Sequence, residues 1–593
     1  MEKKVFKIKK LGLVGLLGLM GLTQISCSDF LEIKPQNEII MEQFWTEKAD
    51  VEGIIAGCYS GMQSSGVVKR MMVWGEFRSD NIGVGQNINN DGELEKVLKE
   101  NIDAKNGYTK WEDFYSIINR CNTVIKYAPD VAAKDPAYTQ SELNAHIAEV
   151  TALRSLCYFY LIRAFRDVPY TSVAFTDDDV KMDLPATKFD DVLDSLIVSL
   201  EGVKTMAVKR YPVTERLYQT GRITQDAIHA MLCELYLWKE DYENCIRYAD
   251  LVIDAKKAIA EENRTKNQRS GDVVTTNTEE RFNGFPLLSD NSGTNYYGEA
   301  FTRLFGSDSY SQLYDQEIIF QLVFSDDPRG NSMMANGAVN DFYGNADSRK
   351  GLVVPSDFLL EDIEKSNSRN IFADKNKKVD ARMYENCNID QKSINKFVTR
   401  TIEIDATSTS SPKVSYGSAY TNGQNGSNWI IYRLTDIMLM KAEALTMMMR
   451  EGVEPATIEY NEPLLDKAFS LINAINKRSV CETVLADTLV RGDYTTKSLM
   501  TDLVYQERQR ELMFEGKRWF DLVRISRRDG NTQTLSTAAS RKITTGSTLI
   551  ANKLAKMDAI YWPIYYQELK VNLNLKQNPS FSSGEDESYQ KNY

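Results

Sequence analysis

Residues 223–254 carry the pattern of two consecutive α-helices joined by a tight turn. Thr224 can cap the first helix, because its hydroxyl can accept a backbone N–H of the first turn. Small and apolar residues recur at helical spacing over 227–238 and again over 245–253, on either side of a polar turn at 239–241. The pair has about the 34-residue length of a tetratricopeptide unit, which cannot bury its apolar face alone. The sequence therefore predicts further hairpins.

Three more stretches repeat this arrangement of paired amphipathic segments. In each pair, apolar residues recur at three- and four-residue spacing, which is typical of helices that pack side by side. The pairs lie at 141–165 with 189–200, at 434–449 with 464–479, and at 497–514 with 518–526. Any α-helical protein shows such pairs, but residues 223–254 fit a tetratricopeptide unit in register. We therefore predict a mainly α fold in which tetratricopeptide-like helical hairpin repeats form a scaffold.

The composition changes between two helical parts of the chain, which we place at 51–256 and 430–593. Over 257–429 helical periodicity weakens and Ser, Thr, Asn, Asp, Gly and Tyr become frequent, although 317–324 has the apolar run of a short strand. Long irregular stretches in a compact chain are usually functional or mobile. We predict a loop-rich, ligand-side excursion with short strands, laid over the scaffold. The stretch 66–106, with several Gly and Asn, is predicted as an exposed loop system.

The N-terminus has the features of an export signal rather than of a folded element. Five lysines precede an apolar run at 11–22, which is too short to span a bilayer, and Cys27 follows. We predict a signal peptide at 1–26, lipidation of Cys27, and a tether over 27–50 that leads into the fold. Gln24 stands where the bacterial lipid-attachment signal usually has Leu, so an uncleaved anchor and an ordinary signal peptide are the alternatives.

The acidic balance of the chain limits its partners. The net charge is −12, and losing the predicted signal peptide would remove five lysines and one glutamate and leave −16. Nucleic-acid binding needs a basic footprint, and general adhesion to anionic lipid needs clustered Lys and Arg. We therefore predict no nucleic-acid partner, and a mature protein that is attached to the membrane only by acyl chains.

Seven cysteines remain besides Cys27, an odd number without a CxxC pair. Most of them fall on apolar helix faces, where cysteine behaves as a small hydrophobic residue. The seven are Cys58, Cys121, Cys157, Cys233, Cys245, Cys387 and Cys481. We predict no disulfide framework.

Motifs of catalytic and cofactor sites are missing from the sequence. There is no HExxH, no Cys/His cluster, no GxxxxGK[ST] and no GxSxG, and the only histidines are His146 and His229. We predict no cofactor and no metal site, and the acidic run 177–179 lacks the glycine and glutamate of a calcium loop. A glycosidase with two carboxylates stays open, because such acids need not be near in the chain. Charges over 505–524 are spaced to pair along one helix.

Several short motifs, in order along the chain, resemble those of the SusD/RagB family of outer-membrane nutrient-binding lipoproteins of Bacteroidetes. The most specific is FEGKRWFDL at 514–522. The others include DVPY at 167–170, RLTD at 433–436, AEA at 442–444, WPI at 562–564 and QNP at 577–579. Arg166, Tyr565 and Ser580 depart from the family's usual Gly, Pro and Gly. The resemblance covers nearly the whole mature chain and implies that 28–593 form one globular unit.

The resemblance also implies a function. It indicates a lipoprotein of the cell outer membrane, facing the exterior, that binds a nutrient and delivers it to a SusC-like TonB-dependent transporter. The ligand in this family is most often an oligosaccharide, and a peptide is the second choice. Binding and delivery, not catalysis, are the implied activity. A glycan-processing enzyme and a scaffold without a small ligand are the alternatives from other classes.

Aromatic and polar side chains on loops are the candidates for ligand binding. Sugar C–H faces stack on aromatic rings while hydroxyls need polar partners, and ligand sites combine apolar rings with a few placed polar groups. Two loop-rich stretches carry such residues. The candidates are Trp74, Arg78, Asn81, Tyr296, Tyr297 and Tyr343. An ordinary surface or core role is the alternative for each.

Overall fold

The computed structural model describes most of the chain from residue 44 onwards. The described residues are 44–176, 182–269, 282–288, 290, 296–306, 316–325, 334–348, 350–362, 369–372, 379–407, 412–481, 489–543 and 546–582. Thr46–Tyr593 form one compact unit, distinct from Met1–Trp45. The predicted signal peptide, Cys27, most of the tether and the acidic run 177–179 lie outside the described residues.

Helices make up most of the described residues, which confirms the predicted mainly α fold class. In chain order they are α1 (Lys48–Met62), α2 (Ser65–Met72), α3 (Gly92–Leu98), α4 (Glu112–Lys134), α5 (Gln140–Phe165), α6 (Phe189–Val203), α7 (Arg216–Gly221), α8 (Gln225–Trp238), α9 (Tyr242–Arg269), α10 (Glu299–Phe305), α11 (Gly337–Phe342), α12 (Ala381–Asn386), α13 (Leu434–Met447), α14 (Pro455–Ser479), α15 (Lys497–Leu512), α16 (Arg518–Asp529), α17 (Gln533–Ser540), α18 (Ser547–Lys553) and α19 (Tyr566–Val571).

Strands are short and are scattered between the helices. Among the described residues they are β1 (Ile82–Val84), β2 (Val168–Pro169), β3 (Ala186–Thr187), β4 (Tyr296–Tyr297), β5 (Ile318–Leu322), β6 (Val353–Pro355), β7 (Cys387–Asn388), β8 (Ser393–Ile394), β9 (Ile402–Asp405), β10 (Lys413–Tyr416) and β11 (Trp429–Arg433). β1 pairs with β6, β2 with β3, β5 with β11 and β7 with β8, and β9 lies between β4 and β10. β5 confirms the strand predicted at 317–324.

Three of the four predicted helix pairs pack as hairpins, at 141–165 with 189–200, at 223–254 and at 434–449 with 464–479, whereas α15 packs on α13 rather than mainly on α16. α4 packs on α5 and α5 on α6, α8 packs on α9, and α13 packs on α14 and α15. In the hairpin of α8 and α9, the Thr224 hydroxyl accepts a hydrogen bond from the Ala227 N–H at 3.3 Å, which caps α8. Ala230, Cys245 and Ala249 are fully buried. Their small side chains allow the two helices to approach closely.

Two kinds of predicted boundary differ from the structure. A helix over 111–127 is predicted to end before Pro129, but α4 continues to Lys134 with that proline inside it. Proline removes one hydrogen bond of a helix interior, and Pro129 lies on the exposed side of α4, where water can reach the helix backbone. The boundaries predicted at 256 and 429 fall inside α9 and β11. The excursion is therefore continuous with both helical parts.

The stretch 66–106 is not the exposed loop system that its composition predicted. It contains most of α2, a π-helical turn at Val73–Phe77, β1 and α3. Every residue of the π-helical turn is buried. A β-carbon on Gly75 would lie 1.9 Å from the carbonyl oxygen of Gly516. Glycine here serves close packing of two backbones rather than loop flexibility.

A buried network of ion pairs joins the excursion to the C-terminal helices; we call it the ionic junction. The Glu511 carboxylate accepts hydrogen bonds from Arg433 at 2.6 Å and from Arg382 at 3.1 Å, and it also pairs with Arg478. All four side chains are nearly inaccessible to solvent. Burial alone would raise the pKa of Glu511, but the three guanidinium groups outweigh it and hold that pKa well below its usual range.

The prediction of pairing along one helix at 505–524 is therefore only partly right. Glu507 pairs with Arg510, and Asp521 with Arg524, three residues apart. The other pairs join different elements: Arg382 to Glu507, Lys396 and Arg433 to Glu515, Arg508 to Asp436, Arg518 to Asp80, and Arg524 to Glu443. Helical spacing reveals neighbours on one helix but not partners that are distant in the chain.

The cysteine and membrane predictions can be compared with the described residues. The seven cysteines after Cys27 are all buried thiols outside any disulfide, which confirms their role as small core residues. Across the part of the chain that the structure describes, no helix is both long enough and apolar enough to cross a membrane.

Candidate functional site

Five of the six predicted ligand-binding residues are buried, so their predicted exposure on loops is wrong. The indole N–H of Trp74 donates to the carbonyl oxygen of Tyr108 at 2.7 Å, and the ring is fully buried. Arg78 is 1% exposed and donates to Glu100 and to the carbonyl oxygens of residues 559 and 560. Both side chains connect parts of the core and offer no surface to a ligand.

Asn81 and Tyr343 are buried in the same way. The Asn81 amide group donates to Glu76 at 2.7 Å, and its oxygen accepts from Gln509 at 2.8 Å. The Tyr343 hydroxyl donates to the carbonyl oxygen of Phe514 at 3.0 Å. Polar composition suggested loops here, but buried polar groups are acceptable when their hydrogen bonds are made inside the protein.

The two remaining candidates, Tyr296 and Tyr297, form β4 at one edge of the three-stranded sheet. Side chains alternate between the two faces of a strand. Tyr297 is 7% exposed and packs inwards, whereas Tyr296 is 50% exposed on the other face. The solvent-facing residues of this sheet, which we call the Tyr296 face, are Tyr296, Glu403, Asp405, Lys413 and Ser415.

The sheet register brings aromatic, acidic, basic and hydroxyl groups together on the Tyr296 face. Asp405 lies opposite Tyr296 on one side and opposite Lys413 on the other, and Glu403 lies opposite Ser415. Residues that face each other across strands have β-carbons about 5 Å apart. One aromatic ring and two carboxylates therefore lie within the length of a short oligosaccharide.

The two carboxylates of the Tyr296 face are held differently. Asp405 accepts hydrogen bonds from the hydroxyl and the N–H of Thr407, at 2.7 and 3.0 Å. These bonds lower the pKa of Asp405, so its carboxylate is charged at neutral pH. Within the described residues, the exposed Glu403 carboxylate makes no hydrogen bond or ion pair. Its acceptor oxygens can bind ligand hydroxyls.

A buried carboxylate holds the chain directly after β4. Asp290 accepts hydrogen bonds from the backbone N–H groups of residues 298–300, at 2.9, 2.6 and 3.1 Å. Burial raises the pKa of Asp290, and these three donors offset part of that rise. Gly298 has φ +115°, and a β-carbon there would lie 2.3 Å from the carbonyl oxygen of Ile402. Only glycine fits this approach of β4 to β9, which places Tyr296.

A row of buried aromatic rings begins at α10, which packs on β9 of this sheet. Phe301 and Phe305 of α10 have ring centroids 5.6 Å apart, Phe305 lies 5.2 Å from Phe397, and Phe397 lies 5.4 Å from Trp429 of β11. Such aromatic pairs add to the stability gained from burial. The row also reaches the ionic junction, since the guanidinium group of Arg433 lies 5.6 Å from the centroid of the Phe305 ring.

A small cavity beside α10 is lined by three acids, Asp290, Glu385 and Glu511, and bears on the glycosidase alternative. Its volume is about 30 Å³, whereas small-molecule pockets usually have roughly 300–1,000 Å³. Burial, together with the nearby charge of Asp290, raises the pKa of Glu385 to about 8. A space that holds about one water molecule cannot admit a sugar ring. Over the described ranges, no group of three or more His, Cys, Asp or Glu side chains could hold a metal ion.

Sequence reasoning missed the acidic half of the Tyr296 face. The signal lies in TIEID at 401–405 and KVSY at 413–416, where polar and apolar residues alternate as in half-buried strands. Alternation predicts which side chains share a face of each strand. It does not reveal that β9 pairs with β4, more than a hundred residues earlier in the chain.

Comparisons with known proteins agree with this fold. A family model described as the SusD family matches residues 316–581, and one described as starch-binding associating with outer membrane matches residues 29–237. SusD-like protein P38 of Formosa agariphila is 26% identical over 572 residues, which cover 93% of this chain and 95% of that protein. SusD-like protein P25 of the same organism is 21% identical and covers 84% of this chain and 87% of its own length.

Solved structures share the fold. A SusD superfamily protein from Bacteroides thetaiotaomicron has a TM-score of 0.59 at 19% identity, covering 91% of this chain and 99% of that chain. Another from Bacteroides vulgatus has a TM-score of 0.59 at 16% identity, covering 91% and 100%. The chain belongs to the SusD/RagB family, as its motifs suggested. Members of this family are nutrient-binding proteins associated with the outer membrane, not enzymes.

Proposed function

We propose that this protein binds an oligosaccharide at the Tyr296 face and delivers it to a SusC-like TonB-dependent transporter. Family membership supports the general role of nutrient binding at the outer membrane. The observation that carries the ligand class is the half-exposed Tyr296 ring beside two carboxylates and a hydroxyl on a supported sheet.

Binding at this face would use stacking and hydrogen bonding. The Tyr296 ring offers an apolar surface to the C–H face of a sugar, and the carboxylates of Glu403 and Asp405 accept hydrogen bonds from its hydroxyls. The Ser415 hydroxyl can donate and accept. The paired strands fix the backbone positions of these groups, so less conformational entropy is lost on binding than on a mobile loop. No bond of the sugar is broken in this mechanism.

Delivery would depend on the tether and on the helical hairpins. A lipid on Cys27 keeps the protein at the outer membrane, since acyl chains supply membrane affinity without a spanning helix. Helical repeats present broad surfaces that suit a protein partner, while the ligand is read by the excursion. The transporter then receives the ligand from a protein held beside it.

Replacing the ring tests the ligand site. We expect Tyr296→Ala to weaken binding of the best ligand from a panel of soluble oligosaccharides by at least about tenfold, because a stacked ring and its buried area are lost. Tyr296→Phe should keep most of the affinity. Isothermal titration calorimetry on the purified protein measures both.

Tyr218 supplies the matched control, since it is 45% exposed on α7, outside the Tyr296 face. Tyr218→Ala should bind the same ligand as the unchanged protein does. Equal affinities for Tyr296→Ala and the unchanged protein would place the ligand elsewhere and refute this site.

A further inference from the structure

We propose that Glu403 and Asp405 make the Tyr296 face selective for uncharged oligosaccharides and against sulfated or uronic-acid glycans. This inference rests on the proposed function, because it names the class of ligand that the same face takes. It concerns specificity, which is a difference between two affinities.

The charges of the Tyr296 face do not cancel. It carries two carboxylates and one ammonium group, which leaves an excess of one negative charge. Lys413 lies opposite Asp405, whereas Glu403 lies opposite Ser415, an uncharged residue. The excess charge is therefore at Glu403. An anionic group on a sugar stacked against Tyr296 would lie within about one Debye length, ~10 Å at 0.1 M salt, of both carboxylates.

Hydrogen-bonding chemistry points the same way. An ionised carboxylate accepts hydrogen bonds and donates none. Sugar hydroxyls can donate to Glu403 and Asp405, but a sulfate ester or a sugar carboxylate has no proton to donate at neutral pH. An anionic substituent at this place would lose a hydrogen bond and bring like charges together. The two effects act on the same contact and in the same direction.

Negatively charged neighbours are particular to the Tyr296 face and do not surround every exposed aromatic side chain. At the partly exposed pair Tyr565 and Tyr566, Lys110 lies 5.1 Å from one ring and Lys570 lies 5.0 Å from the other. Beside Tyr296 the nearest cross-strand neighbour is Asp405 instead. The net charge of −16 expected for the mature chain adds a long-range field that slows the approach of polyanions.

The test compares neutral and anionic probes of the same length. The neutral probes are β-glucan and galactan oligosaccharides, and the anionic probes are their chemically sulfated derivatives and oligogalacturonate. We expect each anionic probe to bind at least about tenfold more weakly than its neutral counterpart. This difference in affinity, which we call the gap, should narrow at high salt. The double variant Glu403→Gln with Asp405→Asn should narrow the gap by strengthening the binding of anionic probes. Titration calorimetry at low and high salt measures all of these affinities.

The control changes one charge elsewhere. Glu451, between α13 and α14, has a 78% exposed side chain, and Glu451→Gln should leave the gap unchanged. Anionic probes that bind as tightly as neutral ones, with binding lost in Tyr296→Ala, would refute the selectivity and leave the proposed function intact. A gap that survives in the double variant would also refute it. Binding of neither class to the unchanged protein would refute the proposed function itself.

Discussion

Between α8 and α9 the contact is made by small and apolar side chains, whereas between the excursion and α15 it is made by charges. In the hairpin, Ala230 and Ala249 are fully buried, and the buried thiol of Cys245 lies 3.7 Å from that of Cys233. At the ionic junction, Glu511 binds three arginines that come from different elements. The stability of an apolar contact depends mainly on side-chain volume, whereas the stability of a buried charge depends on the particular partner that neutralises it.

The difference follows from what each region must achieve. A helical hairpin is built from neighbouring segments, so an apolar stripe on each helix is enough to bring them together. The excursion has short elements without long apolar stripes. Guanidinium–carboxylate pairs constrain orientation as well as distance, and the ionic junction therefore gives the excursion a defined position on the scaffold.

The largest effect expected from this comparison is at Arg433. Arg433→Met removes a guanidinium group that pairs with both Glu511 and Glu515 and leaves these two buried carboxylates less compensated, so we expect a loss of about 3–5 kcal/mol in the free energy of unfolding. Denaturant unfolding of the purified protein measures this. Arg247→Met is the control, because that side chain is 53% exposed and should cost less than about 1 kcal/mol. Equal losses for both variants would contradict the comparison.

The second-largest expected effect is the difference in stability cost between a conservative replacement in the hairpin and one at the ionic junction. Leu235 in α8 is 1% exposed, and Leu235→Met should cost less than about 1.5 kcal/mol, because the volume is kept. Arg433→Lys keeps the charge but loses the fork that contacts Glu511, Glu515 and Thr435. We expect Arg433→Lys to lose more stability than Leu235→Met in the same unfolding experiment. The reverse order would show that volume, not partner identity, governs the ionic junction.

The smallest effect is on the pH dependence of stability. Despite burial, which acts to raise them, the pKa values of Glu507, Glu511 and Glu515 are lowered in the folded protein by their arginine and lysine partners. Their contribution to stability is therefore complete above the unfolded pKa, about 4.3, and is lost as pH falls below it. Measured from neutral to acidic pH, the free energy of unfolding should fall less steeply in Glu511→Gln than in the unchanged protein. Leu235→Met should show the same dependence of unfolding free energy on pH as the unchanged protein. The same slope in the unchanged protein, Glu511→Gln and Leu235→Met would argue against these pKa shifts.

The hairpins were predictable from sequence because their contacts are local. Thr224 caps α8 as the sequence indicated, and the helical spacing around it identified the buried face. The candidate site was predictable only in part: Tyr296 is exposed, but Trp74 and Arg78 are core residues. Composition cannot separate a polar loop from a polar core, since the distinction depends on hydrogen-bond partners such as Glu100 that are contributed by other elements.

By itself, the sequence determined the helical hairpins, the buried cysteines and the family, because periodicity and short motifs are properties of neighbouring residues. The tertiary structure alone decided the ionic junction and the Tyr296 face. Glu511 meets Arg382, and Asp405 meets Tyr296, across more than a hundred residues of chain. Pairings of that kind are fixed by the packing of whole elements, and no local pattern specifies them.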